Sequence, residues 1–308
     1  MTKWAWMVTA VMMLAACNSR PSLQPQSGGK PFEVLLVNDS DSVVFRQLSR
    51  PVDGLPQPEP AFDISAVNLS EVPRVAQTAR NIVVVEVDEQ RFTRSHIRYE
   101  KNRYARPQLI VYVQSPTTFQ LNMFLQRGGG ETLRNLFAGA ELNREVRQLG
   151  QRHLLKASRT VRQMFGFDIW VSTELSSMKK GVDFVWFSNN TLTGMKNICV
   201  FSCPASADKF ASADSVLKTN IKGETDAMWM KTVAKSMTRK QTLKQGRHVT
   251  TEVGLWEMEG DAMGGPLVMR YWTEGSRDFF VIAFVYAPES RKRNLLKAVE
   301  ASLYTIRK

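Results

Sequence analysis

The stretch that decides the fold is Asp278-Phe279-Phe280-Val281-Ile282-Ala283-Phe284-Val285-Tyr286, together with Leu267-Val268-Met269-Arg270-Tyr271-Trp272-Thr273 just before it. Both runs are rich in β-branched and aromatic residues, and turn residues separate them, so each reads as a strand. Residues 247–258 read as a third strand on the other side of a glycine-rich connection. Three consecutive strands at such spacing predict an antiparallel meander. Working back toward the N-terminus, residues 169–171, 183–188 and 198–202 are further strand candidates, with a helix near 207–219. Working forward, Pro288 is expected to start a final helix. Its apolar stripe is Leu295, Leu296, Val299 and Leu303, opposite Arg291, Lys292, Arg293 and Lys297.

The preceding half reads differently. Residues 32–37, 62–67, 81–87 and 108–114 are short apolar runs that predict buried strands, with a short helix at 72–78 between the second and third. Ser115-Pro116 opens a helical region reaching residue 151, broken at Gly128-Gly129-Gly130, with Leu133, Leu136, Phe137 and Ala140 on its buried face. Strands alternating with helices predict an α/β layer. The expected class is therefore α+β: an N-terminal α/β half over residues 31–160, then a C-terminal antiparallel sheet with helices over residues 161–308.

The start of the chain carries an address. Residues 1–17 read MTKWAWMVTAVMMLAAC, with Lys3 as the positive region, a short apolar segment, and Ala15-Ala16 before Cys17. That order predicts a signal peptide over 1–16. The apolar segment is too short to span a bilayer, which takes about 20 residues. Leu14-Ala15-Ala16-Cys17 resembles the lipobox of bacterial lipoproteins, which implies lipidation of the Cys17 thiol and attachment to a membrane. Residues 17–30 are polar and rich in Pro, Gly and Ser, and read as a flexible tether. Asn18 follows the cysteine, with no acidic cluster behind it. The expected location is the periplasmic face of the outer membrane.

The net charge is +12, from 41 Lys and Arg against 29 Asp and Glu. Nucleic acid is excluded as a partner by the export signal and the lack of a helix-turn-helix, zinc-finger or RNP pattern. Anionic lipid head groups, an acidic polymer such as a glycan, or an envelope protein suit a basic exported chain better. Residues 218–247 hold eight of the cations against two acids. Within them Lys231, Lys235, Arg239, Lys240, Lys244 and Arg247 form a candidate basic patch, or the wet face of a hairpin. The candidate ligand loop is the connection Gly260, Asp261, Gly264 and Gly265, flanked by Glu257 and Glu259. Its glycines would admit a ligand to backbone N–H groups, or simply turn a hairpin. Asn38-Asp39-Ser40-Asp41-Ser42 after the first strand reads as an Asx turn starting a helix, with cation binding as the alternative. Cys199 and Cys203 share one face of a strand about 13 Å apart, too far for a disulfide, and read as structural thiols. No pattern for catalysis, a metal or a cofactor stands out.

Gly54-Leu55-Pro56-Gln57, Tyr104-Ala105-Arg106-Pro107-Gln108, Ala140-Glu141-Leu142-Asn143-Arg144, Asp168-Ile169-Trp170-Val171, the run from Gly254 to Pro266, Phe284-Val285-Tyr286-Ala287-Pro288 and Lys292-Arg293-Asn294-Leu295 occur in one order. In that order they resemble a family of Bacteroidota lipoproteins that carries the domain of unknown function DUF4837. Ser172 stands where the family pattern has proline, and the segment between Val37 and Gly54 is short. The resemblance implies a lipid-anchored envelope protein, and it transfers no activity and no site residues.

Overall fold

A computed structural model describes residues 24–68, 76–244 and 247–308, with the backbone alone at 240–244 and 247. The chain is α+β, built on two sheets. In the first, β1 (Glu33–Val37), β2 (Asp63–Val67), β3 (Asn81–Val87) and β5 (Leu109–Ser115) run parallel, and β4 (His96–Lys101) lies antiparallel on the outer edge of β5. The order is β2-β1-β3-β5-β4. Parallel neighbours need crossovers, so helices must lie over the sheet. Here α1 (Val43–Leu48), α2 (Thr118–Phe124) and α3 (Gly130–Gln151) cover one face. Leu36, Val83, Val85, Val111 and Val113 pack there against Val44, Leu48, Leu121, Leu133 and Phe137. The predicted break between α2 and α3 is present, with Gly128 at φ 110°.

The second sheet is antiparallel throughout. It runs β10-β11-β12-β13-β8-β7-β6, with β9 (Trp229–Thr232) sharing the outer edge of β11 with β10. The strands are β6 (Ser177–Lys180), β7 (Phe184–Ser188), β8 (Met195–Pro204), β10 (Thr238–Lys244), β11 (Arg247–Glu259), β12 (Gly264–Glu274) and β13 (Arg277–Tyr286). Alternation along β13 explains why the run is apolar at almost every position. Val281, Ala283 and Val285 face one core, while Phe280, Ile282 and Phe284 face the other. The first core is closed by α4 (Leu155–Phe165) and α6 (Arg293–Leu303), the second by α5 (Lys209–Asn220) and β9. Each fully buried side chain of this size contributes about 1.5–3 kcal/mol.

The halves are joined through α6, which packs on α3. Glu59, 7% exposed, reaches from the loop before β2 to the start of α6. Its Oε1 accepts the Lys292 N–H at 2.6 Å and its Oε2 the Arg293 N–H at 3.1 Å. Those are amides that a helix start leaves without partners. Arg293 in turn donates to Asp63 Oδ2 at 2.5 Å and to the Pro60 carbonyl at 2.6 Å.

Several expectations are corrected. Residues 169–171 are no strand. They are a buried extended segment whose backbone is satisfied outside any ladder, through Leu154 N–H to Val171 O and Ser158 Oγ to Ile169 O. The last helix starts at Arg293, because Pro288 and Glu289 form a turn and the cap comes from Glu59. Lys292 and Arg293 are consequently buried in the junction, where a wet face was expected. Residues 24–30 of the expected tether belong to the folded domain, and residues 17–23 lie outside the described residues. From Gln24 onward the chain is pinned, by Arg106 N–H to Pro25 O, Ser27 N–H to Arg106 O and Arg80 N–H to Gly28 O. The expected helix at 72–78 lies partly outside the described residues, which show a 3-10 turn at Ala76–Thr78.

Candidate functional site

The order of the parallel sheet creates a crevice. From β1 the chain moves outward to β2, then returns to place β3 on the other side, so the connections leave the carboxyl ends of β1 and β3 in opposite directions. Open α/β sheets bind ligands at such a switch point. A cavity of about 420 Å³ lies there, lined by residues 38–41 after β1, the end of β3 from Val84 to Asp88, Arg91, and Thr118 and Leu121 of α2.

Two of its carboxylates, Asp39 and Asp88, are held by backbone amides. Asp39 Oδ1 accepts the Val44 N–H at 3.1 Å and Oδ2 the Phe45 N–H at 2.7 Å, capping α1 where Ser42 turns at φ 54°. This is the helix-starting role read from the sequence. Asp88 Oδ1 accepts the amides of Gln90 and Arg91 at 2.9 and 3.2 Å. Glu86 accepts from the Gln114 amide. The walls thus carry three held carboxylates, the Asp41 carboxylate and one guanidinium, Arg91.

A second cleft, about 220 Å³, lies between the halves. Glu145, Gln148 and Arg152 of α3 face Ser172, Glu174, Lys196 and α6 across it. Burial, with Glu141 nearby on the same helix, pushes the Glu145 carboxyl above its ordinary range. Lys196 pairs with Glu174 on the far wall.

The ligand-loop candidates assemble otherwise. Glu257 and Glu259 lie on one face of β11, and Lys231 of β9 bridges them, at 3.1 Å from Glu257 Oε1 and in closer contact with Glu259. Those two carboxylates hold the Lys231 ammonium above its ordinary value, Glu259 most. Gly260 turns the hairpin at φ 75°, and Asp261 Oδ1 accepts the next residue's amide at 2.6 Å. Gly264 and Gly265 lie within β12, where Gly265 is the cross-strand partner of Trp256. A Cβ at Gly265 would sit 2.1 Å from the Val285 carbonyl, to which the Trp256 indole donates at 3.1 Å. Here the glycine makes room for an indole.

In the basic patch, Arg239 is bound to Glu252 at 2.8 Å, and Glu252 also accepts from the Tyr271 hydroxyl at 2.9 Å. Lys235 is exposed on the turn before β10. Lys240 and Lys244 fall on β10 and Arg247 on β11, with side chains outside the described residues. Cys17 also lies outside them. Cys199 and Cys203 are free thiols on β8. Burial pushes both thiols up, Cys199 strongly, and this suppresses the thiolate a nucleophile would need. Sequence reasoning missed Glu59 and Glu145, whose significance depends on partners distant in the chain.

Fold and site define a class: a two-half α+β protein, one half a parallel sheet with an open crevice, the other an antiparallel sheet buried on both faces. Residues 154–305 match the model of a domain of unknown function, DUF4837. Residues 27–150 match the model of a second domain of unknown function, DUF8532. The motifs at 168–171, 254–266, 284–288 and 292–295 therefore fall in the first family's span. Those at 54–57, 104–108 and 140–144 fall in the second's. Among curated proteins none matches. A crystal structure from Bacteroides thetaiotaomicron aligns at 13% identity and TM-score 0.20, covering 46% of this chain and 44% of that one. This chain thus spans less than half of that relative's length. The solution structure of the cyanobacterial PsbP protein (CyanoP) from Synechocystis aligns at 9% identity and TM-score 0.24, covering 46% of this chain and 91% of that one.

Proposed function

We propose that this chain is a non-catalytic binding module of the bacterial cell envelope, held through lipid on Cys17 at the periplasmic face of the outer membrane. One observation carries the binding reading. The crevice at the carboxyl edge of the parallel sheet is lined by four carboxylates, two of which, Asp39 and Asp88, backbone amides already fix, an arrangement preorganised to accept hydrogen bonds. Between an envelope protein and an acidic polymer as partner, acidic walls favour a donor-rich protein segment. A photo-crosslinker at Ser40 should capture one reproducible envelope protein, and Asp41→Lys should abolish its capture. Unchanged capture, or none from wild type, would refute the reading. The anchor has its own test: labelled palmitate should enter the wild type and be lost in Cys17→Ser.

A periplasmic hydrolase acting on envelope polymers is the second reading. The cleft between the halves favours it, because a carboxyl with raised affinity for its proton, Glu145, suits a general acid. Release of soluble fragments from purified envelope polymer, lost in Glu145→Gln, would establish it. Equal release by both proteins would remove it.

A further inference from the structure

Gln24 fixes where the anchor must leave the folded domain. Its side-chain amide donates to the Asn102 carbonyl at 2.9 Å and the Arg103 carbonyl at 3.2 Å, and its Oε1 accepts from Arg106 Nε at 2.6 Å. Residues 25–28 then run along the same hairpin to the turn before β3, through the amides of Arg106, Ser27 and Gly28. Only residues 17–23 separate Cys17 from this point. Seven residues span at most about 25 Å and on average roughly 15 Å. Whatever surface surrounds Gln24 is therefore the surface a lipid on Cys17 would bring to the bilayer.

That surface is cationic and aromatic. Arg98, Lys101, Arg103 and Arg106, on β4 and the hairpin after it, are all exposed. Glu100 is the one acid among them, and it lies between Arg98 and Arg103. Tyr99 is 50% exposed, and Arg103 stacks over Tyr104 at 5.2 Å. Cations with amphipathic aromatic rings suit the head-group region of a membrane. The patch read from sequence at 231–247 lies in the other half, on β9, β10 and the start of β11.

We propose that the exposed edge of β4 and the hairpin at residues 101–106 form the membrane-facing surface of the domain, seated on anionic phospholipid head groups beside the anchor. The orientation rests on the Cys17 reading, but the affinity for anionic lipid does not, so the two fail separately. The test uses the chain from residue 17 with Cys17→Ser, which removes the anchor, and vesicles of phosphatidylcholine with or without phosphatidylglycerol. Sedimentation should show binding to the mixed vesicles only, weakening with salt. Each Lys or Arg near an anionic surface is worth about fivefold in partition, so combined Lys101→Glu, Arg103→Glu and Arg106→Glu should cost on the order of a hundredfold. The same charge change at Lys156, Arg159 and Lys235, elsewhere on the molecule, should leave most of the binding intact. A second readout needs no folding variant: mixed vesicles should slow acetylation of Lys101 several-fold in the wild-type chain and leave Lys156 unchanged. Equal loss from both triple variants, equal labelling of both lysines, or binding to phosphatidylcholine alone would overturn the assignment.

Discussion

In the N-terminal half, the long helix α3 places a charged cluster beneath the start of β3. Glu141 Oε1 accepts from Asn81 and from Arg144, each at 2.6 Å, with Arg80 Nε at 3.2 Å. Arg144 also donates to Asn81 Oδ1 at 2.9 Å and to the Arg80 carbonyl at 2.8 Å. The corresponding depth of the C-terminal half holds rings: Phe201 stacks on Phe280 with centroids 4.9 Å apart and on Phe184 at 6.2 Å. The difference follows from how the sheets are covered. The antiparallel sheet is enclosed on both faces by helices and β9, and excludes water by area. The parallel sheet has its helices on one face, and there a polar pin fixes the register between α3 and β3. These two clusters hold by different means, directional bonds in the one and shape in the other.

Two substitutions of similar cost separate these mechanisms. Phe201→Ala and Glu141→Leu should each destabilise the protein by about 3–5 kcal/mol in urea titration, the first by cavity formation, the second by stranding Arg144. They should diverge on repair. Adding Arg144→Met to Glu141→Leu should recover most of the loss, whereas no polar change repairs Phe201→Ala. If the double variant is no better than the single, the charged cluster is not what holds α3. Gly265→Ala comes next, at about 1–3 kcal/mol, since its methyl would collide with the Val285 carbonyl and unseat Trp256. Loss of the indole's near-ultraviolet dichroism should accompany it. Glu59→Gln should cost about 0.5–2 kcal/mol as a lost helix cap. It should also split a single urea transition into two, because the cap belongs to both halves.

The smallest effects are in pH dependence, and the two regions differ in sign. Burial opposes ionisation of Asp278, but hydrogen bonds from Lys209, Thr273 and the Ser206 amide outweigh it and hold the carboxyl below its ordinary value. Its stabilisation is complete above the unfolded value of about 4 and is lost as pH falls through the folded one. Asp278→Asn should flatten that acid limb in melting temperature. Glu145 is shifted up, so the folded state holds its proton more tightly than the unfolded chain does. Stability therefore declines as pH rises from the ordinary carboxylate range through the raised value, and Glu145→Gln should remove that decline.

The comparison also explains what the sequence made legible. β1, β3 and β5 stand out because they are apolar at almost every position, with Val37, Ile82 and Ile110 buried even on the face without helices. β13 stands out because both of its faces are cores. Edge strands hide: β4 (HIRYEK), β6 (SMKK) and β10 (TRKQTLK) present charge to solvent and lack the apolar alternation of a strand. The segment 169–171 misleads in the opposite sense, since Ile169 and Val171 are fully buried without any neighbouring strand. For the site, the turn at 38–42 announced itself through its Asx residues. The crevice it borders did not, because the far wall is built by Asp88, Arg91 and Thr118, placed there by strand order.

Glu59 has a consequence for the time course of synthesis. The amides it receives belong to residues made more than two hundred peptide bonds later. An emerging N-terminal half therefore keeps a carboxylate and an uncovered flank of α3 waiting for their partner. Until the second half is made, such a chain would offer that flank to chaperones. Two fragments divided near residue 152 should find each other when co-expressed, and would lose that ability with Glu59→Gln.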